Sequence, residues 1–403
     1  MKYRLLPVTT GLLLAFGLTA GAQRLTGKVL DASTGQPVPY ASISVLNSSQ
    51  GTTSNAEGEF ELSGVALPGR LVVSELGHQR DTVAVATTGP LQIRLRPASV
   101  LLPEVQVGSY LGDLIAQAYR QMRRTHGHTM YGQAFYHQVI HIGGDATEVQ
   151  EMVWNAATNS AGMDGSALAH GRFAKKKAQL SFNNFSNLTK VVGFNMKDDS
   201  LTQRGIVGLN TAQCYKLSLI GATQSGGQQL VEIGFESKPG LAPLTAKGTL
   251  VINETTRQVL HLRFETPDLI NVKTNSPVVK LKDQRSVFEM DFQPAPNAAV
   301  LTYIAVLTYI KVDYQAALAS PVQRNVAIRA SSFTYFYNGR PTPDASVTYA
   351  PVKGGEVDLA LIKQTTYDPA FWQNNAVVKR TPLEEQVIKS FEQKGAFGTM
   401  LTP

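Results

Sequence analysis

The sequence predicts a mainly β protein: an N-terminal β-sandwich, then a curved, half-barrel-like antiparallel sheet with one packed helix, and a C-terminal helix. Apolar and polar residues alternate in short runs over 25–95, with Gly, Pro, Asn or Ser between the runs. The same alternation dominates 130–365, whereas a helical period appears around 109–125 and 381–395. A period of two indicates half-buried strands, and a period of 3.6 indicates an amphipathic helix.

The first residues predict export. Lys2 and Arg4 precede an apolar run that ends in Ala-Gly-Ala, so we expect residues 1–22 to be a secretory signal peptide. The run is shorter than the ~20 residues that span a bilayer, and no transmembrane helix is predicted after it. Gln23, rather than a cysteine, would follow the cleavage site, which argues against a lipoprotein. We therefore expect an exported protein of the periplasm or outer membrane.

Composition narrows the class of protein further. Hydrophobic residues make up 43% of the chain and charged residues 17%, which is ordinary for a globular protein. The formal charge of +7 is mild for 403 residues, and we interpret the basic run 175–177 as a solvated strand face, so no nucleic-acid partner is predicted. Cys214 is the single cysteine of the chain, so it cannot form an internal disulfide.

The predicted sandwich has clear strands and turns. Apolar side chains alternate with polar ones in 41–45, 58–62 and 91–95. Gly35 and Gly58 stand where a turn requires positive φ, which costs glycine little.

Several spaced positions of this region resemble the carboxypeptidase-like regulatory domain. They are Gly27-x-Val29-x-Asp31, Thr34-Gly35-x-Pro37, Ala41-x-Ile43-x-Val45, Gly51-Thr52, Gly58-x-Phe60 and Val73-Ser74-x-x-Gly77. The resemblance implies a transthyretin-like β-sandwich over 23–96, without catalytic residues, of the kind found in Gram-negative envelope proteins and ahead of TonB-dependent receptors. Ser54 and His78 depart from the family pattern, which usually has an Asp and an aromatic residue there.

A linker and a helix follow the sandwich. Residues 97–108 contain two prolines and are predicted to be a linker. Apolar residues then recur at helical spacing over 109–125, with Ser109 as the N-cap and Gly127 just beyond the end.

The remaining strands are predicted to form the second domain, 109–375. Hairpins are predicted around 143–145, 223–227 and 253–257, followed by strands that include 357–362. Weaker strands are predicted at 172–182 and 191–196. The run AYRQMRR with YGQAFYHQV, followed by the hairpin GTLVINETTRQV, is distantly similar to periplasmic lipoprotein carriers, which implies a half-barrel with an apolar concave face.

The C-terminal segment, 376–403, is predicted to hold an amphipathic helix. Thr381 and Glu384 form a capping box with proline between them at the first helical position. Four apolar residues share one helical face, and two aromatic residues precede the helix: Leu383, Val387, Ile388 and Phe391, with Phe371 and Trp372.

The chain shows little sign of catalytic chemistry. His126, His128, His137 and His141 lie close together in sequence, and His137 and His141 are weak candidates for metal ligands because residues four apart on a strand share a face. The sequence lacks His-x-x-Glu, His-Glu-x-x-His, Gly-x-Ser-x-Gly and a P-loop motif. We therefore predict no catalytic residue, no metal and no cofactor.

These observations predict a non-enzymatic, exported envelope protein with a binding or assembly role. The sandwich would recognise a partner through an edge strand or its surface, and the concave sheet would bind an apolar or polypeptide ligand. Two alternatives remain open: a small outer-membrane β-barrel, and a hydrolase whose site residues are dispersed in the sequence. The second would show a pocket with at least two titratable groups within hydrogen-bonding reach.

Overall fold

The computed structural model describes most of the chain after the predicted signal peptide. The described residues are 24–48, 50–101, 109–176, 186, 205–225, 228–267, 270, 280–297, 302–319, 325–351, 358–374 and 377–399. The signal peptide predicted at 1–22 and the strand predicted at 191–196 lie outside them. No helix in the described ranges has the length and apolar character needed to cross a membrane.

Seven strands form the N-terminal sandwich, as predicted. They are β1 (Arg24–Asp31), β2 (Ser42–Val45), β3 (Gly51–Thr53), β4 (Glu59–Ser63), β5 (Gly69–Ser74), β6 (Asp81–Val85) and β7 (Leu91–Leu95). One sheet has the order β4-β1-β7 and the other the order β3-β2-β5-β6. Phe60 is completely buried between them, and a Cβ at Gly27 would lie 2.6 Å from its ring, so the strand needs glycine at that position.

Twelve strands form the second sheet, which is curved and antiparallel throughout. In chain order they are β8 (Ser99–Leu101), β9 (Met130–Ile142), β10 (Asp145–Asn159), β11 (Gly162–Lys175), β12 (Tyr215–Ser225), β13 (Gln228–Ser237), β14 (Lys247–Asn253), β15 (Val259–Thr266), β16 (Lys280–Asn297), β17 (Thr302–Ala319), β18 (Val326–Arg340) and β19 (Ala350–Pro351). Their spatial order is β19-β11-β10-β9-β18-β17-β16-β15-β14-β13-β12-β8. The three predicted hairpins are confirmed, and β9 lies beside β18 far along the chain.

Different elements pack against the two faces of this sheet. On the helix-side face, which carries Tyr136 and Trp154, helix α1 (Tyr110–Thr125) buries its apolar stripe in the main core. The short helix α2 (Thr211–Cys214) lies next to α1. The sandwich-side face, which carries Phe135, His137 and Val153, is covered by the sandwich and the C-terminal segment. On the helix-side face, buried apolar residues of the sheet and of α1 pack together in the main core.

Two local predictions need correction. Residues 357–362 were expected to be a strand, but α3 (Asp358–Gln364) is a helix, and its Ile362 packs against Gly171 on the helix-side face. Short apolar runs do not distinguish strand from helix by period, and tertiary packing decides between them. Part of the predicted linker forms β8, because an extended segment can pair with the open edge of β12.

Three short helices make up the end of the chain: α4 (Pro369–Asn374), α5 (Pro382–Gln393) and α6 (Ala396–Thr399). The predicted capping box is confirmed, because Thr381 Oγ1 accepts from Glu384 N and Glu384 Oε2 accepts from Thr381 N. Phe391 is fully buried against β9–β11, as expected from the amphipathic pattern. Leu383, in contrast, is 64% exposed.

His78 links a loop of the sandwich to β1. Its Nδ1 lies 2.5 Å from Glu75 Oε2, and its Nε2 lies 2.8 Å from Asp31 Oδ2. Burial lowers the pKa of His78, but the two carboxylates outweigh burial and raise the pKa above its ordinary value of 6.5. The protonated ring thus bridges two negative charges.

This arrangement predicts a pH-dependent sandwich. The contribution of His78 to stability is complete below pH 6.5 and is lost as the pH rises through the raised pKa, because only the protonated ring donates to both carboxylates. Urea unfolding at pH 5.5 and pH 8.5 would measure the loss. His78→Gln should show a smaller fall in stability over this range than the unchanged chain, and equal falls would contradict the prediction.

Candidate functional site

A cavity of about 320 Å³ lies where three parts of the molecule meet. We call it the junction cavity. The sandwich contributes the segment around Asn55 and Glu57, and the sandwich-side face contributes residues of β9, β17 and β18. The C-terminal segment contributes the beginning of α5 and the residues before it. The cavity therefore exists only when all three parts are docked.

Specific contacts hold these parts together. Thr52 Oγ1 donates to the carbonyl oxygen of Val377 at 2.8 Å, and Lys379 Nζ lies 2.8 Å from Glu59 Oε2. The ring of Tyr40 stacks on that of Tyr309, with centroids 5.1 Å apart. The ring contact lies against β17 and the polar contacts reach the C-terminal segment, so the sandwich is fixed on two sides of the cavity.

A buried ionic cluster forms the base of the site. Strand register places Glu151 on β10 directly between Arg172 on β11 and His137 on β9. Arg172 Nε donates to Glu151 Oε2 at 2.6 Å, and His137 Nδ1 lies 2.9 Å from Glu151 Oε1. Arg380, which precedes α5, donates to both oxygens of the same carboxylate at 3.2 Å. One carboxylate thus joins three strands to the C-terminal segment.

The charge of Glu151 is maintained by these partners. Burial alone would raise the pKa of its carboxyl, but Arg172, Arg380 and His137 outweigh burial and hold the pKa well below its ordinary range. The guanidinium of Arg172 also donates to Glu392 at 3.0 Å and lies between two aromatic rings, 4.6 Å from the centroid of Trp372 and 4.4 Å from that of Phe397.

The ionised carboxylate of Glu151 determines which ring nitrogen of His137 donates to it and which is left over. Because the ionised carboxylate only accepts hydrogen bonds, Nδ1 of the imidazole must carry a proton. The other ring nitrogen, Nε2, belongs to a side chain that lines the cavity and has no hydrogen-bond partner in the described chain. The nearest carboxylate oxygen, Glu384 Oε1, is 3.8 Å away, which is too far for a hydrogen bond.

Four buried polar atoms of the lining residues have no partner among the described residues. They are Asn55 Nδ2, Glu57 Oε2, His137 Nε2 and Tyr309 Oη. Asn55, His137 and Tyr309 are only 2–3% exposed. Each buried polar group left without a partner costs about 1–3 kcal/mol, so a ligand or water that pairs with any of the four would stabilise the chain.

The four histidines that are close together in the sequence lie in two different parts of the structure. His137 and His141 share the sandwich-side face and both line the junction cavity. Four residues of a strand span about 13 Å, so a single metal ion would not reach both side chains. His126 is the C-cap of α1 and His128 lies in the turn before β9, away from the lining residues.

Sequence reasoning missed Glu151, Arg172 and Tyr309. A signal for Glu151 was present, because it lies between Val149 and Val153 on one face of a strand that is otherwise apolar there. A charged residue in an apolar stripe predicts a buried partner of opposite charge. Its identity as Arg172 depends on register and could not be read from the sequence.

The ionic cluster predicts a large loss of stability when its central charge is removed. Glu151→Gln keeps the shape of the side chain but leaves Arg172 and Arg380 without a counter-charge, so the free energy of unfolding should fall by about 3–5 kcal/mol. Chemical denaturation would measure it. Glu385→Gln on the exposed side of α5 is the matched control and should change stability by less than about 0.5 kcal/mol. A similar change in both variants would contradict the role assigned to Glu151.

Comparisons with solved structures return distant likenesses of low TM-score. A DUF1329 family protein from Desulfovibrio piger is 11% identical, with 60% of this chain and 95% of that chain covered and a TM-score of 0.25. A LolA superfamily protein from Nitrosomonas europaea is 12% identical, with 57% and 92% covered and a TM-score of 0.22. A putative outer membrane lipoprotein-sorting protein domain from Vibrio parahaemolyticus is 8% identical, with 65% and 97% covered and a TM-score of 0.22. These scores are too low to support an inference about ligand or function.

Sequence comparison is informative for the N-terminal part. No curated protein matches the chain. Residues 25–107, in contrast, match the family model of the CarboxypepD_reg-like domain, which confirms the resemblance drawn from the glycine, proline and alternating positions of the sandwich. Residues 25–107 are therefore similar to the CarboxypepD_reg-like domain, and in this chain they precede a large antiparallel sheet.

Proposed function

We propose that this protein is an exported envelope binding protein that holds a short polypeptide segment in the junction cavity. The observation that carries the proposal is the group of four buried polar atoms without partners around one cavity. A volume of about 320 Å³ is at the lower end of the range for ligand pockets, which suits a chain end or a few residues.

The polar groups of the cavity match the chemistry of a polypeptide. Asn55 Nδ2 offers a donor, Glu57 Oε2 offers an acceptor, and His137 Nε2 offers a ring nitrogen. A peptide carries N–H donors and carbonyl acceptors at regular spacing, so it can satisfy both kinds of group at once. An acyl chain could satisfy neither. The lining is mainly apolar, and its few polar groups favour a polypeptide with apolar side chains over a plain acyl chain.

Charged side chains at the cavity suit a ligand with charges of both signs. Lys311 and Lys379 line it together with Glu57 and Glu384. A peptide terminus carries a carboxylate or an ammonium group that either pair can attract.

The test of this function uses dipeptides as probes. Isothermal titration calorimetry of the exported chain with Ala-Glu and Ala-Lys should detect binding, and oleate should not compete for the same site. Tyr309→Phe should weaken dipeptide binding about two- to tenfold through the loss of one hydrogen bond. Tyr314→Phe, which removes a hydroxyl on the helix-side face, should leave it unchanged. No dipeptide binding, or equal effects of the two variants, would overturn the proposal.

Tyr309→Phe also gives a prediction for the chain without ligand. Its hydroxyl is buried without a partner, so its removal should leave the free energy of unfolding unchanged or raise it by about 1 kcal/mol. Tyr314→Phe should lower stability slightly because Tyr314 Oη donates to Gln284. Thermal denaturation of both variants measures this, and a clear loss of stability in Tyr309→Phe would show that the hydroxyl has a structural partner.

The arrangement of His137 supports one alternative function, a hydrolase with a dispersed site. A histidine that is oriented by a buried carboxylate and lines a cavity resembles the arrangement of a general base. Turnover of p-nitrophenyl acetate that titrates with one group and disappears in His137→Gln would favour this alternative. Dipeptide binding without turnover would favour the binding role.

A further inference from the structure

A second group of side chains on the sandwich-side face has the composition of a metal site. His261 lies on β15, and Glu289 and Asp291 lie on β16. Asp291 is directly opposite His261 in the register, and Glu289 is two residues away on the same face. One ligand atom from each residue lies within 4.8 Å of the others, and all three side chains are half-buried.

We propose that His261, Glu289 and Asp291 bind a divalent transition-metal ion such as Zn²⁺ or Mn²⁺. One imidazole nitrogen and two carboxylate oxygens are ligands that both ions accept. Three protein ligands from two neighbouring strands leave the remaining coordination positions open to water or to a further group. The proposal rests on these three ligands and is independent of what occupies the junction cavity.

Two of the three side chains pair with each other, and the third adds a second carboxylate beside them. His261 Nδ1 lies 2.6 Å from Asp291 Oδ1, so these two atoms satisfy each other. Glu289, half-buried beside them, keeps access to solvent and interacts electrostatically with His261, Lys311 and Arg263.

Two basic residues lie beside Glu289 on the neighbouring strands. Lys311 is directly opposite Glu289, but its ammonium lies 3.1 Å from Asp313 and over the ring of Tyr40. Arg263 is opposite Glu289 on the other side, without an ion pair between them in the described structure. A dication among the three ligands would neutralise the two adjacent carboxylates.

The sandwich contains a histidine that serves as a matched control. His78 also contacts two carboxylates, but Glu75 meets its Nδ1 and Asp31 meets its Nε2. The two acids therefore lie on opposite sides of the ring and cannot share one ion with it. Each of the two clusters contains one histidine, one glutamate and one aspartate. They differ only in where the two acids lie around the histidine ring.

The test is metal uptake by the full exported chain after treatment with EDTA and dialysis. Titration calorimetry and metal analysis with ZnCl₂ and MnCl₂ should show about one bound ion per chain for at least one of the two metals. Glu289→Gln and His261→Ala should each weaken binding at least about tenfold. His78→Ala should bind as tightly as the unchanged chain.

Two results would overturn the proposal: no stoichiometric uptake by the unchanged chain, or uptake that survives both Glu289→Gln and His261→Ala. Glu289→Gln keeps the size of the side chain, so it remains informative if His261→Ala folds poorly. Far-ultraviolet circular dichroism and the melting temperature of each variant establish that a loss of binding is not a loss of fold.

Discussion

The buried carboxylate of Glu151 is the interaction on which the arrangement of this molecule depends. A charge with no exposed surface is stable in a protein only where cations and hydrogen-bond donors replace water. Glu151 receives them from Arg172 on β11, His137 on β9 and Arg380 before α5. The same contacts therefore hold the C-terminal segment on the sheet, and that segment provides one wall of the junction cavity.

Strand register extends this cluster into a row of side chains across the sandwich-side face. Paired positions on seven strands carry Arg172, Glu151, His137, Phe333, Lys311, Glu289 and Arg263. Each carboxylate of the row lies between basic residues, or between a basic residue and a histidine, so like charges are not adjacent. The helix-side positions of the same strands are mainly apolar and form the main core. The sandwich-side face thus carries the row of polar side chains, and the helix-side face carries the main apolar core.

In the junction cavity, the same polar groups that would bind a ligand lower the stability of the chain without ligand. Polar atoms buried without partners destabilise the chain without ligand, and a ligand that pairs with them stabilises the docked state by the free energy of binding. Because the sandwich and the C-terminal segment both contribute walls, such a ligand would also favour their docked positions on the sheet. The contact between Lys379 and Glu59 joins these two walls directly.

The sequence by itself determined the local elements, because their causes are local. Alternating apolar and polar residues predicted the strands, and apolar residues at helical spacing predicted α1. The capping box predicted where α5 begins. Alternate residues of a strand point to opposite faces of the sheet, so the sequence also placed His137 and His141 of β9 on the same face. A short apolar run was not sufficient for α3, where packing of Ile362 on Gly171 decided the conformation.

Only the tertiary structure decided which side chains meet across the sheet. The pairing of Glu151 with Arg172, and of Asp291 with His261, depends on register, and a shift of one residue would move every side chain to the other face. The position of β9 beside β18, and of the sandwich on β17, joins segments hundreds of residues apart. No local pattern encodes such contacts, because they result from the packing of whole elements.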